Sequence, residues 1–215
     1  MTELARGGMI PGQYSGDMTE HATRTPPNPV RSRTRALTLW WIAAIGGLAL
    51  STVFHLAASM TPGTMSMFGG PEALMTSDPP SIVLFSVDLC LGVLALALLP
   101  AALTHDPMEV EESYVGPPSA LVAGLVVLTV WMVSVMAAPA GAIVLISISS
   151  RLSANWTVPA IFASLLSIVV YELTLSTELG IDWLIVAMAM GVTLALVGVG
   201  ALRGSVLRRQ ARAAA

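Results

Sequence analysis

Three ionisable side chains, His55, Asp88 and Glu172, stand inside stretches of sequence that are otherwise apolar. A charge is costly to bury in such a stretch, so residues of this kind in membrane helices mark ion pathways, proton relays or ligand contacts. Histidine is the side chain whose charge changes near neutral pH. Ligand or proton sensing is the chemistry that such a trio would perform. The bland alternative is that His55 and Glu172 are shallow enough to reach the interface, and that only Asp88 is buried, satisfied by a neighbouring hydroxyl.

A second group is made of thioethers. Met60, Met65, Met67 and Met75 crowd a short segment that contains Gly and Pro and includes Met65-Ser66-Met67. Thioether sulfur is a soft ligand, so several together, with His55, would suit Cu(I) on an oxidising face of a membrane. The segment itself holds no Cys or His, and the same methionines also serve as adaptable apolar packing. The chain lacks a glycine-rich phosphate loop, a Walker-type lysine, a metal-spaced set of His or Cys, and a nucleophile with a base nearby. Neither an enzyme nor a bound cofactor is expected, and nucleic acid is not expected as a partner. The lone Cys90 has no disulfide partner in the chain and reads as a small core residue.

The elements that must position these groups are membrane helices. Of the 215 residues, 55% are hydrophobic and only 11% are charged, with a mean hydropathy of +0.78, whereas charged residues make up about a quarter of soluble domains. A helical span takes about 20 mostly apolar residues. Leu37 to Ser59, Ser81 to Leu103, Pro118 to Ala137 and Asp182 to Leu202 meet that requirement, and Trp156 to Leu175 does so despite Pro159 and Glu172. Ala140 to Ser150 is short and follows Ala137-Ala138-Pro139-Ala140-Gly141, a sequence that favours a turn or a kink. Counted as a span it gives six; merged with the preceding stretch it gives five.

Arginine decides between the two counts. Arg31, Arg33 and Arg35 precede the first span, and Arg203, Arg208, Arg209 and Arg212 follow the last, so the positive-inside rule places both termini in the cytoplasm. An even count follows, and with six spans Arg151 falls inside as well. The acidic Thr104 to Pro117 connection is also inside, but acidic residues weigh little in orientation. The expected organisation is therefore all-α: a disordered cytoplasmic tail over 1–36, a bundle of six transmembrane helices over 37–202, and an Arg/Ala-rich cytoplasmic helix over 203–215. In this frame His55, Asp88, Glu172 and the methionines gather toward the outer face. Small residues four apart, Ala43 with Gly47, Ala120 with Gly124, and Ala187 with Gly191 and Ala195, let helices approach closely, within the bundle or at a homodimer seam.

The last span runs into Arg203-Gly204-Ser205-Val206-Leu207-Arg208-Arg209-Gln210-Ala211-Arg212-Ala213-Ala214-Ala215, an exit helix of a kind that usually continues. With the arginines before the first span, the paired short stretches around Pro139 and Arg151 after them, the region from Arg31 to Ala215 resembles the multi-pass N-terminal membrane region of bacterial sensor histidine kinases, of the high-GC Gram-positive type. The acidic connection departs from that pattern. The resemblance implies a sensing or anchoring part in a bacterial cytoplasmic membrane, relaying an outer-face signal to a cytoplasmic helix and a kinase partner. The kinase part is absent: none of His21, His55 and His105 lies on a soluble helix, so the resemblance implies no catalytic residue. A small transporter or a subunit of another membrane complex is the alternative.

Overall fold

The computed structural model describes residues 29–60, 80–104, 117–175 and 183–213. These residues form six helices and, among themselves, no strand: α1 (Pro29–Met60), α2 (Pro80–Ala102), α3 (Pro118–Trp131), α4 (Ala138–Ser150), α5 (Ala154–Leu175) and α6 (Trp183–Ala213). Three of them, α1, α2 and α6, are long and apolar enough to cross a membrane. The helix α5 has 22 residues, apolar over Ala154–Val170. Large apolar side chains such as Ile45, Val53, Phe162, Leu184 and Leu202 stand exposed on the outside of the bundle. A water-soluble protein would hide such a coat, whereas lipid covers it at no cost.

The stretch that was ambiguous in sequence is resolved as a hairpin. The helix α3 stops at Trp131, short of the Ala137 expected for that span, and α4 begins at Ala138. A Cβ at Gly124 would touch Val144 and Ile148, while Gly141 lies against the Trp131 ring, so the two helices run antiparallel with a turn at 132–137. Having 14 and 13 residues, each is only about 20 Å long at about 1.5 Å per residue. That falls short of the hydrocarbon thickness of about 30 Å.

This hairpin is the middle of three layers. On one side α2 packs on α3 and α1 on α4; on the other, α5 packs on α3 and α6 on α4. Among the described residues, neither α1 nor α2 touches α5 or α6. The helix α4 is accordingly buried on nearly every face, through Ala140, Gly141, Val144, Leu145, Ser147, Ile148, Ser149 and Ser150, as a helix without a solvent or lipid side must be. The turn of the hairpin sits at the level of Gly47 in α1 and of Asp88 and Gly92 in α2. From there α1 runs on to Met60 and α2 back to Pro80, so they extend about 20 and about 12 Å beyond the turn.

Two small-residue seams are used inside the bundle. Ala43 is fully buried, and at Gly47 any Cβ would collide with the Met136 carbonyl, so only glycine lets α1 approach the turn. Ala120 and Gly124 face the core in the same way. The third seam is open: Ala187, Gly191 and Ala195 are exposed, and nothing lies within 4 Å of a Cβ built at Gly191. Cys90, expected in the core, is exposed instead. It lies two residues from Asp88 and hence on roughly the opposite face of α2, the face that carries Val83, Val87 and Leu94 to the outside.

Candidate functional site

Asp88 is the centre of a polar cluster that ties α1 and α2 to the hairpin turn. Its side chain is 8% exposed. Ser51 of α1 donates its hydroxyl to Oδ2 at 2.5 Å. From the turn, Ser134 donates its hydroxyl to Oδ1 at 2.6 Å, and the Met136 N–H donates to the same oxygen at 3.2 Å. Ser134 in turn accepts the Ala137 N–H at 3.2 Å.

The local reason for this arrangement lies in α4. A helix start leaves its first N–H groups without intrahelical partners, and Ala137 at the N-cap has no side chain to offer them. Asp88 supplies acceptors from another helix, through Ser134 for the N-cap N–H of Ala137 and directly for the N–H of Met136 in the turn just before it. The positive end of the α4 dipole also favours a carboxylate there, by about 0.3 to 2 kcal/mol. Irregular backbone buried in protein must find its partners there, and in the turn at 132–137 Asp88 and Ser134 supply acceptors for the Met136 and Ala137 N–H groups. Burial with satisfaction by hydroxyls was the bland expectation for this residue, and the bonding of Asp88 has that form, extended to a backbone N–H.

His55 stands beside the cluster. It lies one turn after Ser51 on the same face of α1, with Nε2 3.5 Å from Oδ2 of Asp88 and its side chain 20% exposed. The rings of Phe54 and Phe85 meet the imidazole edge-on, at 5.6 and 5.3 Å between centroids. Nε2 is buried and makes no hydrogen bond. The structure thus brings His55 and Asp88 together. It does not bring Glu172 to them: that residue is half-buried on α5, which touches neither α1 nor α2. The Met60 side chain and the whole of Met65, Met67 and Met75 lie outside the described residues, as do the side chains of Arg31 and Arg33.

A second polar knot, at the base of the hairpin, was not anticipated. Arg151 is not a free surface cation but is buried to 5% exposure. Its guanidinium lies 4.3 Å over the Trp156 ring and donates to the Thr104 carbonyl at the end of α2 at 3.1 Å. Arg208 of α6 donates to the Arg151 carbonyl at 2.8 Å. Beside it, Gly204 lies so close to the Ser150 carbonyl that any Cβ would clash. The hairpin is therefore held at its turn by Asp88 and at its base by Arg151, and α6 rests on its second helix between the two. Arg35, Arg209 and Arg212 are exposed, and Arg203 is half-buried.

Sequence reasoning found Asp88 and His55 but not Ser51, Ser134 or the Arg151 knot. Ser51 had a usable signal, lying four residues before His55. Ser134 had none, because hydroxyls are common in membrane helices and only the turn gives this one its partners. No protein-family model matches the chain, and no curated protein and no solved structure matches it either.

Proposed function

We propose that this chain is an integral membrane relay module of the sensor type, in which a change near His55 and Asp88 is passed through the hairpin to the Arg-rich end of α6. The observation that carries the reading is the continuity of the contacts. Asp88 holds the turn, the turn leads without a break into α4, and α4 packs on α6 more than on any other helix. A shift of α4 along its axis therefore has α6 as its main recipient. Relay requires two packings that bind the signal differently, and a helix held by polar knots at both ends has discrete bonds to exchange. The resemblance to histidine kinase input regions agrees with this direction, from the outer face to a cytoplasmic helix and a kinase partner.

The same reading sets the chain in a bacterial cytoplasmic membrane. Four helices, α1, α2, α5 and α6, cross it, and α3 with α4 enter from the cytoplasmic side and return, in place of two further crossings. The even count asked for by the arginines is kept, both termini stay inside, and Arg151 stays with them.

A transporter is the second reading, favoured by one observation: an interrupted hairpin whose helix N-terminus meets a carboxylate at mid-depth is how transporters build binding sites. The two are separated by hydrogen exchange in liposomes. The relay expects Asp88→Asn, which leaves the Ser51, Ser134 and Met136 donors short of an acceptor, to raise exchange across residues 203–213 by about threefold or more. Gly204→Leu, which wedges α6 off α4, is expected to abolish that response. Unchanged exchange at 203–213 in Asp88→Asn, at normal protein level, removes the relay.

A further inference from the structure

We infer that His55 is a proton-binding site, and that the hairpin turn reads whether it is filled. A carboxylate offers about four acceptor positions, and on Asp88 three are used, by Ser51, Ser134 and Met136. The fourth faces Nε2 of His55, which is buried, bonds to nothing and stands 3.5 Å away. That distance is longer than a hydrogen bond, and a neutral imidazole can close it only as the Nε2–H tautomer, with an uncharged donor. A proton on the ring changes both terms. The nitrogen becomes a charged donor, and a bond from such a donor to a carboxylate contracts to about 2.8 Å.

The charge balance points the same way. Among the described residues, no titratable or charged group besides Asp88 faces His55 from the elements packed against α1. Asp88 is the only such residue on α2 apart from the outward Cys90, α4 and the turn at 132–137 carry none, and Arg35 lies at the far end of α1. Without the proton, the pair leaves one negative charge buried with no countercharge among the described residues; with it, the pair is neutral. Proton uptake therefore converts a carboxylate held by dipoles alone into a closed ion pair. Closure draws the outer half of α1 onto α2 and, through the shared oxygens of Asp88, tightens Ser134 and Met136 at the turn.

The inference rests on the relay reading only for what the proton is used for, and the test separates the two. The full chain, labelled with ¹⁵N-histidine, is placed in liposomes and followed from about pH 8.5 to 5, the range over which histidine changes charge. Its histidines are His21, His55 and His105, so the His55 signal is identified by its loss in His55→Gln. The expected result is that the His55 ring takes up a proton within this range while exchange over 132–138, corrected for the chemical rate, slows by about threefold or more. In Asp88→Asn the turn should stop responding to pH. His55→Gln, with a permanent donor of similar reach, should be protected at every pH, and His55→Leu, with none, at no pH.

A His55 ring that keeps one protonation state throughout overturns the inference. So does a turn whose response to pH is the same in His55→Leu as in the wild type. A turn that responds while 203–213 stays still upholds the proton site and removes the relay. If 203–213 responds to Asp88→Asn while pH changes nothing at the turn, the relay stands and the proton site falls.

Discussion

Pro100 near the end of α2 cannot donate to the Leu96 carbonyl one turn earlier, and in lipid a carbonyl left without a donor is costly. Trp40 of α1 supplies the missing donor, its indole Nε1–H meeting that carbonyl at 3.0 Å. In sequence Trp40 is one aromatic residue in an apolar stretch, and nothing there names its partner. The pairing makes a sharp prediction. Trp40→Phe should cost about 1 to 2 kcal/mol, because it orphans the carbonyl. In a Pro100→Ala background, where the helix provides its own N–H, the same substitution should cost markedly less. A double-mutant cycle by thermal unfolding in detergent measures the difference, and equal costs in both backgrounds would show that the indole bond does not stand in for the lost one. Asp88 follows the same logic at greater depth: its type and position are legible in sequence, and its task as an acceptor for the start of α4 is not.

Among the elements, the tight connection from α4 to α5 carries the strain. Leu152 has φ 54°, in the left-handed region that a leucine side chain disfavours by about 1 to 2 kcal/mol. The Arg151 knot on one side and the start of α5 at Ala154 on the other leave the chain no longer path. Leu152→Gly is therefore expected to be neutral or stabilising by up to about 1 kcal/mol, and Leu152→Val, branched at Cβ, to destabilise by about 1 kcal/mol. Thermal midpoints of the two variants check this, and a loss of stability in Leu152→Gly would mean that the leucine's own packing outweighs its backbone strain. No sequence pattern announced a positive φ here, since Gly or Asn would be the usual sign and neither is present.

For the whole molecule, the decisive quantity is how far the hairpin reaches. Six crossings would expose the connection between α3 and α4 at the outer surface. Four crossings with a returning hairpin keep it within the bilayer, and labelling tells them apart. In a Cys90→Ala chain, an impermeant maleimide applied from outside should modify Ser66→Cys readily. Ser113→Cys should react only after permeabilisation. Val133→Cys, on the turn, should react about tenfold more slowly than Ser66→Cys, or not at all. Equal labelling at positions 66 and 113 would refute this topology, which needs α2 to separate them. Fast outer labelling at position 133 would restore six crossings.

Composition and apolar run length were enough to establish a helical protein suited to lipid, because the bilayer sets a length and a polarity that any spanning helix must meet. They also drew attention to Asp88, since a carboxylate in such a run is costly wherever it ends up. Sequence could not tell whether Ala140 to Ser150 crosses, because Pro139 and Gly141 permit a turn, a kink or a helix start with equal ease. Only the packing showed what the stretch is, a short helix set side by side with α3 under the Asp88 carboxylate. The tertiary structure likewise joined His55 to Asp88 and left Glu172 apart. Depth along a helix can be counted in residues, but which helices are neighbours is fixed by how their surfaces fit, and that is not written in any one of them.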